Sequence, residues 1–130
     1  MNGETNLQTL LKNMTPILNE GEYVFCTVKE ITMIDNNKVI CFFKEAEAYT
    51  IIIKKSLADE LGMTYSYVAT WITLTVHSSL DAVGLTAAFS TALGDNGISC
   101  NVVAAYYHDH IFVSKDDAEK AMMVLNNLTC

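Results

Sequence analysis

Val68-Ala69-Thr70-Trp71-Ile72-Thr73-Leu74-Thr75-Val76-His77 is the stretch on which the fold turns. Its side chains alternate, with Val68, Thr70, Ile72, Leu74 and Val76 on one face and Ala69, Trp71, Thr73, Thr75 and His77 on the other. That period predicts a β-strand. After it, Ser78-Ser79-Leu80-Asp81 leads into a helix, because Leu85, Ala88, Phe89, Ala92 and Leu93 recur at i, i+3, i+4, i+7 and i+8. Gly94-Asp95-Asn96-Gly97 stops that helix. Ile98 to Tyr107, rich in valine and tyrosine, predicts a second strand. Tyr107-His108-Asp109-His110 is a tight connection or the start of the next strand, which Ile111-Phe112-Val113 continue. Ser114 with Asp117 three residues on resembles a capping box for a last helix, striped by Ala118, Ala121, Met122 and Leu125.

The order is β-α-β-β-α, a split β-α-β unit of ferredoxin-like type that lacks its final strand. Upstream, Leu7, Leu10, Leu11 and Met14 predict a helix that Thr15-Pro16 ends, since the residue before proline avoids the helical region. Asn19-Glu20-Gly21 reads as a turn. Strands are predicted over Glu22 to Val28, Lys38 to Phe43 and Tyr49 to Ile53, with turn chemistry at Asp35-Asn36-Asn37-Lys38. A short helix follows, capped by Ser56 and Asp59, with Leu57 and Leu61 inward and Gly62 as its stop. No linker separates the halves. The expected class is α+β: two ferredoxin-like halves, residues 1–64 and 65–130, with antiparallel sheets and helices packed on one face. An N-terminal strand is expected to fill the edge position left by the missing last strand.

Composition narrows the function. The 130 residues carry eight lysines, no arginine and fifteen acids, a net charge of -7, and 51% are hydrophobic. The apolar content excludes disorder. The acidity argues against nucleic acid, which needs a basic footprint. Without arginine there is no bidentate fork for a carboxylate or phosphate. No apolar run approaches a membrane span, and Met1 to Thr5 lacks the basic start of a signal peptide, so a cytoplasmic location is expected. Cys26, Cys41 and Cys100 sit in apolar strand patterns and Cys130 ends the chain; none forms C-x-x-C, and free thiols are expected.

Three groups of residues carry a family likeness: Leu74-Thr75-Val76-His77, then Asp81-Ala82-Val83-Gly84-Leu85, then Leu93 and Gly97-Ile98 with the strand that follows. This half resembles the ACT domain, the regulatory amino-acid-binding module of biosynthetic enzymes. Val83 stands where the family usually has proline, which merely presets a first helical turn. The run from Leu80 through Ser99-Cys100-Asn101-Val102 to Tyr106-Tyr107-His108-Asp109-His110 resembles a group of small stand-alone bacterial ACT-like proteins. The likeness covers residues 68 to 127; the first 60 match only in element order.

The resemblance implies that an amino-acid effector sits by the strand-to-helix loop, often between subunits. Asp81 matches the loop side chain that reaches a ligand ammonium, Gly84 the family glycine, and Ser99 the polar position after the Gly-Ile pair, with Asn101 on the same strand face. Physics points the same way: the first N–H groups of a helix lack partners and favour an anion. With no arginine, a ligand carboxylate would rest on those groups or on a lysine. The expected ligand set is Ser79, Leu80, Asp81, Val83, Gly84, Leu85, Ser99 and Asn101. The plainer alternative makes Ser79 and Asp81 ordinary N-caps and Gly84, in the first helical turn, a packing residue.

His108 and His110 share a strand face and could form half of a zinc site, but zinc normally takes at least three protein ligands, and His77 is the only further imidazole. The bland alternative is a hairpin in which Asp109 bonds the turn and the histidines lie near the surface. There is no nucleophile elbow and no phosphate loop. Glu45-Ala46-Glu47 reads as solvated and Asp116-Asp117 as a helix start. Trp71, Tyr106 and Tyr107 read as core or subunit interface. No catalytic residue, metal ligand or cofactor is therefore expected. The expected role is a non-enzymatic amino-acid-binding regulatory module, a homodimer or larger. The alternatives are an interaction module that regulates a separate enzyme by contact, and a small metal-dependent enzyme centred on His108 and His110.

Overall fold

The computed structural model describes residues 6–76 and 83–128. Its elements are α1 (Leu7–Asn13), β1 (Thr15–Leu18), β2 (Tyr23–Val28), β3 (Cys41–Lys44), β4 (Tyr49–Lys54), α2 (Lys55–Glu60), β5 (Val68–Thr75), α3 (Leu85–Asp95), β6 (Asn101–Ala104), β7 (Asp109–Ser114) and α4 (Ala118–Leu128), with 3-10 turns at Ile31–Met33, Asn36–Lys38 and Lys115–Asp117. The chain folds as two compact units. Residues 1–20 with 70–130 form the first, and residues 21–69 the second.

In the first unit the strand order is β1-β5-β7-β6. β1 runs antiparallel to β5, with Thr15 opposite Thr75 and Leu18 opposite Ile72. An N-terminal strand thus fills the edge that the β-α-β-β-α reading left open. The sequence signals missed its position, because Pro16 marked only a helix end. Pro16 does end α1, but it also suits an edge strand, where its missing N–H is not needed by the ladder. Thr75 Oγ1 donates to Thr15 O at 2.6 Å and Asn19 N donates to Trp71 O at 2.9 Å, which fastens both ends of the added strand.

One face of this unit is its core. Ile72 and Leu74 from β5 and Ile111 and Val113 from β7 meet Leu10 and Met14 from the N-terminal segment, Leu85, Phe89 and Leu93 from α3, and Ala121 and Leu125 from α4. The predicted helical stripes of this unit supply the buried residues Leu10, Met14, Leu85, Phe89, Leu93, Ala121 and Leu125, and the rest of each stripe is half-buried. α1 is opened by Asn6, whose side chain accepts from Thr9 N at 3.0 Å. α4 starts differently from expectation. Ser114 makes no side-chain cap bond, and a 3-10 turn stands between it and the helix. The second strand is shorter than the Ile98 to Tyr107 expected, because Ile98 is drawn back to the helix end by donating to Leu93 O at 3.0 Å.

In the second unit β3, β4 and β2 pair antiparallel, and the first two residues of β5, Val68 and Ala69, extend the set against Val24 and Tyr23. Val24, Cys26, Val28, Ile34, Ile51, Ile53 and Ala58 form its core. The turn expected at Asp35–Lys38 forms as a 3-10 turn, and the strand expected from Lys38 begins only at Cys41. Asp35 accepts from Asn37 N at 3.0 Å and winds the chain there. The Ser56–Asp59 capping box does not form, since α2 begins at Lys55. Asp59 instead accepts from Lys55 Nζ at 3.0 Å and from Tyr65 Oη at 2.6 Å. Leu61, expected to point inward, is 50% exposed, and fully buried Ala58 takes the inner place. A six-residue helix has one inward turn, so a stripe spaced over four residues overruns it. Gly62 takes φ +67 as the expected stop. No helix among the described residues is long and apolar enough to cross a membrane.

Candidate functional site

The strand-to-helix turn of the first unit carries the sequence-predicted site. Ser79, Leu80 and Asp81 lie outside the described residues. Val83 is 83% exposed, and Leu85 is buried in the core as the first residue of α3. Gly84 is the N-cap itself rather than a residue of the first turn, so neither Ser79 nor Asp81 occupies the cap. Its φ is +100, a conformation that L side chains rarely adopt. A Cβ there would also lie 3.1 Å from Leu7 Cδ2 of α1. Glycine is therefore favoured by the backbone angle, and a Cβ would in addition press on the end of the Leu7 side chain. Gly84 O accepts from Ala88 N at 2.9 Å, which closes the first helical turn. Gly84 has no side chain to cap the helix, so the first N–H groups of α3 meet no side-chain acceptor from the N-cap residue.

Ser99 and Asn101 sit past the other end of α3. Ser99 is exposed, and Asn101 Nδ2 donates to Phe112 O across the β6–β7 pair at 3.2 Å. That donation ties one of Asn101's polar groups to the neighbouring strand.

A second polar cluster lies on the sheet face opposite the core of this unit. Trp71 Nε1 donates to His110 Nδ1 at 3.0 Å, and Thr73 Oγ1 lies 3.1 Å from the same nitrogen. Asn19 Nδ2 donates to Thr73 Oγ1 at 2.9 Å and to Trp71 O at 3.2 Å. Because an indole N–H only donates, Nδ1 of His110 is the acceptor and the ring is neutral, with its proton on Nε2. Burial lowers the His110 pKa, and the charge of His108 lowers it further. Trp71 also stacks on Phe112, with ring centroids 6.2 Å apart and planes 20° apart. The sequence showed Trp71 and Thr73 on one face. The network was missed because Asn19 read as a turn residue and His110 as part of a connection. The adjacency of β5 and β7 in a split β-α-β unit is the signal that would have joined them.

The histidine pair itself is on one face, as expected, with ring centroids 6.4 Å apart. His108 Nδ1 is buried without a hydrogen-bond partner. Asp109, a turn residue in the hairpin alternative, is the first residue of β7 and only 7% exposed, and burial raises its pKa against the opposing effect of His108. Among the described residues no group of three or more histidine, cysteine, aspartate or glutamate side chains comes together to hold a metal ion. Cys26, Cys41 and Cys100 are free thiols, and burial raises all three, Cys100 to about 11.

An ACT-domain family model matches residues 2–70, and a second ACT-domain model matches residues 66–127. The chain is similar to the crystal structure of a Vibrio cholerae protein of unknown function, described as a possible transport protein. The two are 45% identical with a TM-score of 0.87, over 95% of this chain and 96% of that one. A structure from Agrobacterium tumefaciens is 18% identical, with a TM-score of 0.67 over 89% of each chain. The ligand-free regulatory subunit of aspartate kinase from Thermus thermophilus is 10% identical, with a TM-score of 0.63 over 88% of this chain and 98% of that one. These last two share the fold alone. No curated protein matches. With both halves matched by models of the same domain, the chain belongs to the ACT-domain family.

Proposed function

We propose that this protein is a non-enzymatic regulatory module, acting as a homodimer or larger in the cytoplasm, that binds an amino acid at the N-terminal end of α3. Two ACT-like halves, residues 1–64 and 65–130, make up the module. The single observation that carries the reading is Gly84 as a left-handed N-cap with no described side-chain cap on the helix it opens. Backbone N–H groups there suit a ligand carboxylate at the positive end of the helix dipole. Asp81 is assigned to the ligand ammonium. Ser79, Leu80, Val83 and the backbone of Leu85 complete the proposed set on one subunit, and Ser99 and Asn101, which lie past the other end of α3, join it from a second copy. A chain without arginine has backbone N–H groups or a lysine with which to hold a carboxylate.

A thermal-shift screen against the twenty amino acids tests this, because a ligand of the native state alone stabilises by RT ln(1+[L]/Kd). One or a few amino acids should raise the melting temperature, and Asp81→Ala should remove the effect while leaving the unliganded transition in place. No shift from any amino acid at millimolar concentration would overturn the reading.

A further inference from the structure

The second unit holds a cleft that the proposed regulatory role does not use. The crossover from β2 to β3 contains only the two 3-10 turns, whereas the β5-to-β6 crossover contains the eleven-residue α3. Against the second of these turns and the β4–α2 junction lies a cleft of about 300 Å³, lined by Asn37, Lys38, Ile40, Lys54 and Leu57. That is the lower end of the volumes that hold small ligands.

Its walls are tied down. Asn37 N donates to Asp35 Oδ1 and Lys38 N to Asp35 O, both at 3.0 Å, which fixes the turn. Ile40 N donates to Ile52 O at 2.8 Å, and on the far side Lys55 N donates to Glu22 O at 2.9 Å. Leu57 rests half-buried on the core of the unit, and Ile40 is 36% exposed. The cleft is therefore lined by the hydrocarbon of Ile40 and Leu57 together with two lysines and an asparagine.

The charge is the telling feature. The chain is strongly acidic, yet two of its eight lysines line this one cleft and no acid is among the described lining residues. Among the described residues the ion pair formed is Lys55 with Asp59, and neither Lys38 nor Lys54 enters a salt bridge. Two lysines outside any described salt bridge, beside an apolar surface, attract an anion with a hydrocarbon body. A zwitterion would bring its own ammonium against them.

We propose that this cleft binds a small organic carboxylate lacking an α-amino group, its carboxylate between Lys38 and Lys54 and its aliphatic body on Ile40 and Leu57. Lysines act here as point charges, so binding weakens as salt is added. The site lies within the second unit and stands independently of the amino-acid reading for α3.

The test is an amide NMR titration of the full chain with 4-methylpentanoate, with leucine as its α-amino counterpart and with 4-methylpentan-1-ol as its uncharged one. The carboxylate should give saturable shifts at Asn37, Lys38, Ile40 and Leu57. Leucine and the alcohol should each bind there at least about tenfold more weakly, as loss of a charge-assisted contact implies. Lys38→Gln and Lys54→Gln should each weaken the carboxylate about tenfold on the same basis. Lys120→Gln, on α4, should not. Absence of shifts at tens of millimolar overturns the proposal, as does equal binding of the alcohol or leucine, or either cleft variant binding as the wild type does. Amides of residues 83–85 report the α3 site separately, so failure of one reading is distinguishable from failure of the other.

Discussion

Replacing Trp71 by phenylalanine removes one donor and keeps an aromatic ring. In the native protein Trp71 Nε1 donates to His110 Nδ1 at 3.0 Å, and the ring stacks on Phe112. Losing a partly buried neutral hydrogen bond costs about 0.5–1.5 kcal/mol net, and the smaller ring adds a packing term, so Trp71→Phe should destabilise by roughly 1–3 kcal/mol in urea unfolding. The more specific effect is on His110. Trp71 enforces the neutral ring, so its loss should let Nδ1 take a proton and raise the His110 pKa toward the ordinary 6.5. The sign for stability follows from that lowered folded value. The unfolded state binds the proton more readily, so the His110 contribution is complete above about pH 6.5 and is lost as pH falls through the folded pKa. Trp71→Phe should flatten that loss. Long-range proton–nitrogen NMR reads the tautomer directly: the wild type should carry its proton on Nε2. A wild-type ring protonated on Nδ1, or a His110 titration unmoved by Trp71→Phe, would refute the reasoning.

Three further outcomes are expected. Gly84→Ala should destabilise by about 1–3 kcal/mol in chemical denaturation, because the φ of +100 and the 3.1 Å approach of Leu7 Cδ2 both oppose a Cβ. Leu10→Ala should cost roughly 2–5 kcal/mol, since the side chain is fully buried in the core of the first unit, while Leu61→Ala, half exposed, should stay within about 0.5 kcal/mol. Asp109→Asn should stabilise the protein at neutral pH. Burial raises this carboxyl's folded pKa above 3.8, so its favourable contribution is present below about pH 3.8 and is lost as pH rises through the folded value. The advantage of the Asp109→Asn variant over the wild type in urea unfolding should therefore shrink toward acid pH.

Much of the fold was legible because period and burial coincide. Val68 to Thr75 alternates in sequence and forms β5, with Ile72 and Leu74 fully buried on one face, while Ala69 and Thr73 on the other face are buried as well. Leu85, Phe89 and Leu93 fall on one helical face, and all three are buried. The misses cluster where local side-chain bonds outcompete pattern. The turn read at Asp35–Lys38 forms, but it holds Lys38 in a 3-10 turn and the strand expected from there begins only at Cys41. Asp59 is drawn to Lys55 and Tyr65 instead of serving a cap. Gly84 opens α3 in a left-handed conformation, and no spacing rule distinguishes that from a glycine one residue further into the helix. The candidate site was legible only as a place, since its geometry rests on a backbone angle and on the approach of Leu7 from 77 positions earlier in the chain.

The added edge strand explains why the sequence seemed one strand short. The first unit is completed from the start of the chain, with Thr15 to Leu18 of β1 set against β5. The second ends in Val68 and Ala69, the opening residues of β5, set against β2. A single strand, β5, therefore serves both pairings, and the stretch from Val68 to Thr75 is where a strand-breaking change has the widest reach. Leu10 and Met14 belong to the same core as α3 and α4 although they lie more than 70 positions before Leu85. The N-terminal helix and strand are thus structural parts of the unit that carries Gly84, and Leu7 packs where a Cβ at Gly84 would need to go. Changes in α1 should reach the α3 turn through that contact, so Leu7→Ala should relieve part of the cost of Gly84→Ala. A double-mutant cycle in urea reads this. Full additivity would place the whole cost in the backbone angle and none in the approach of α1.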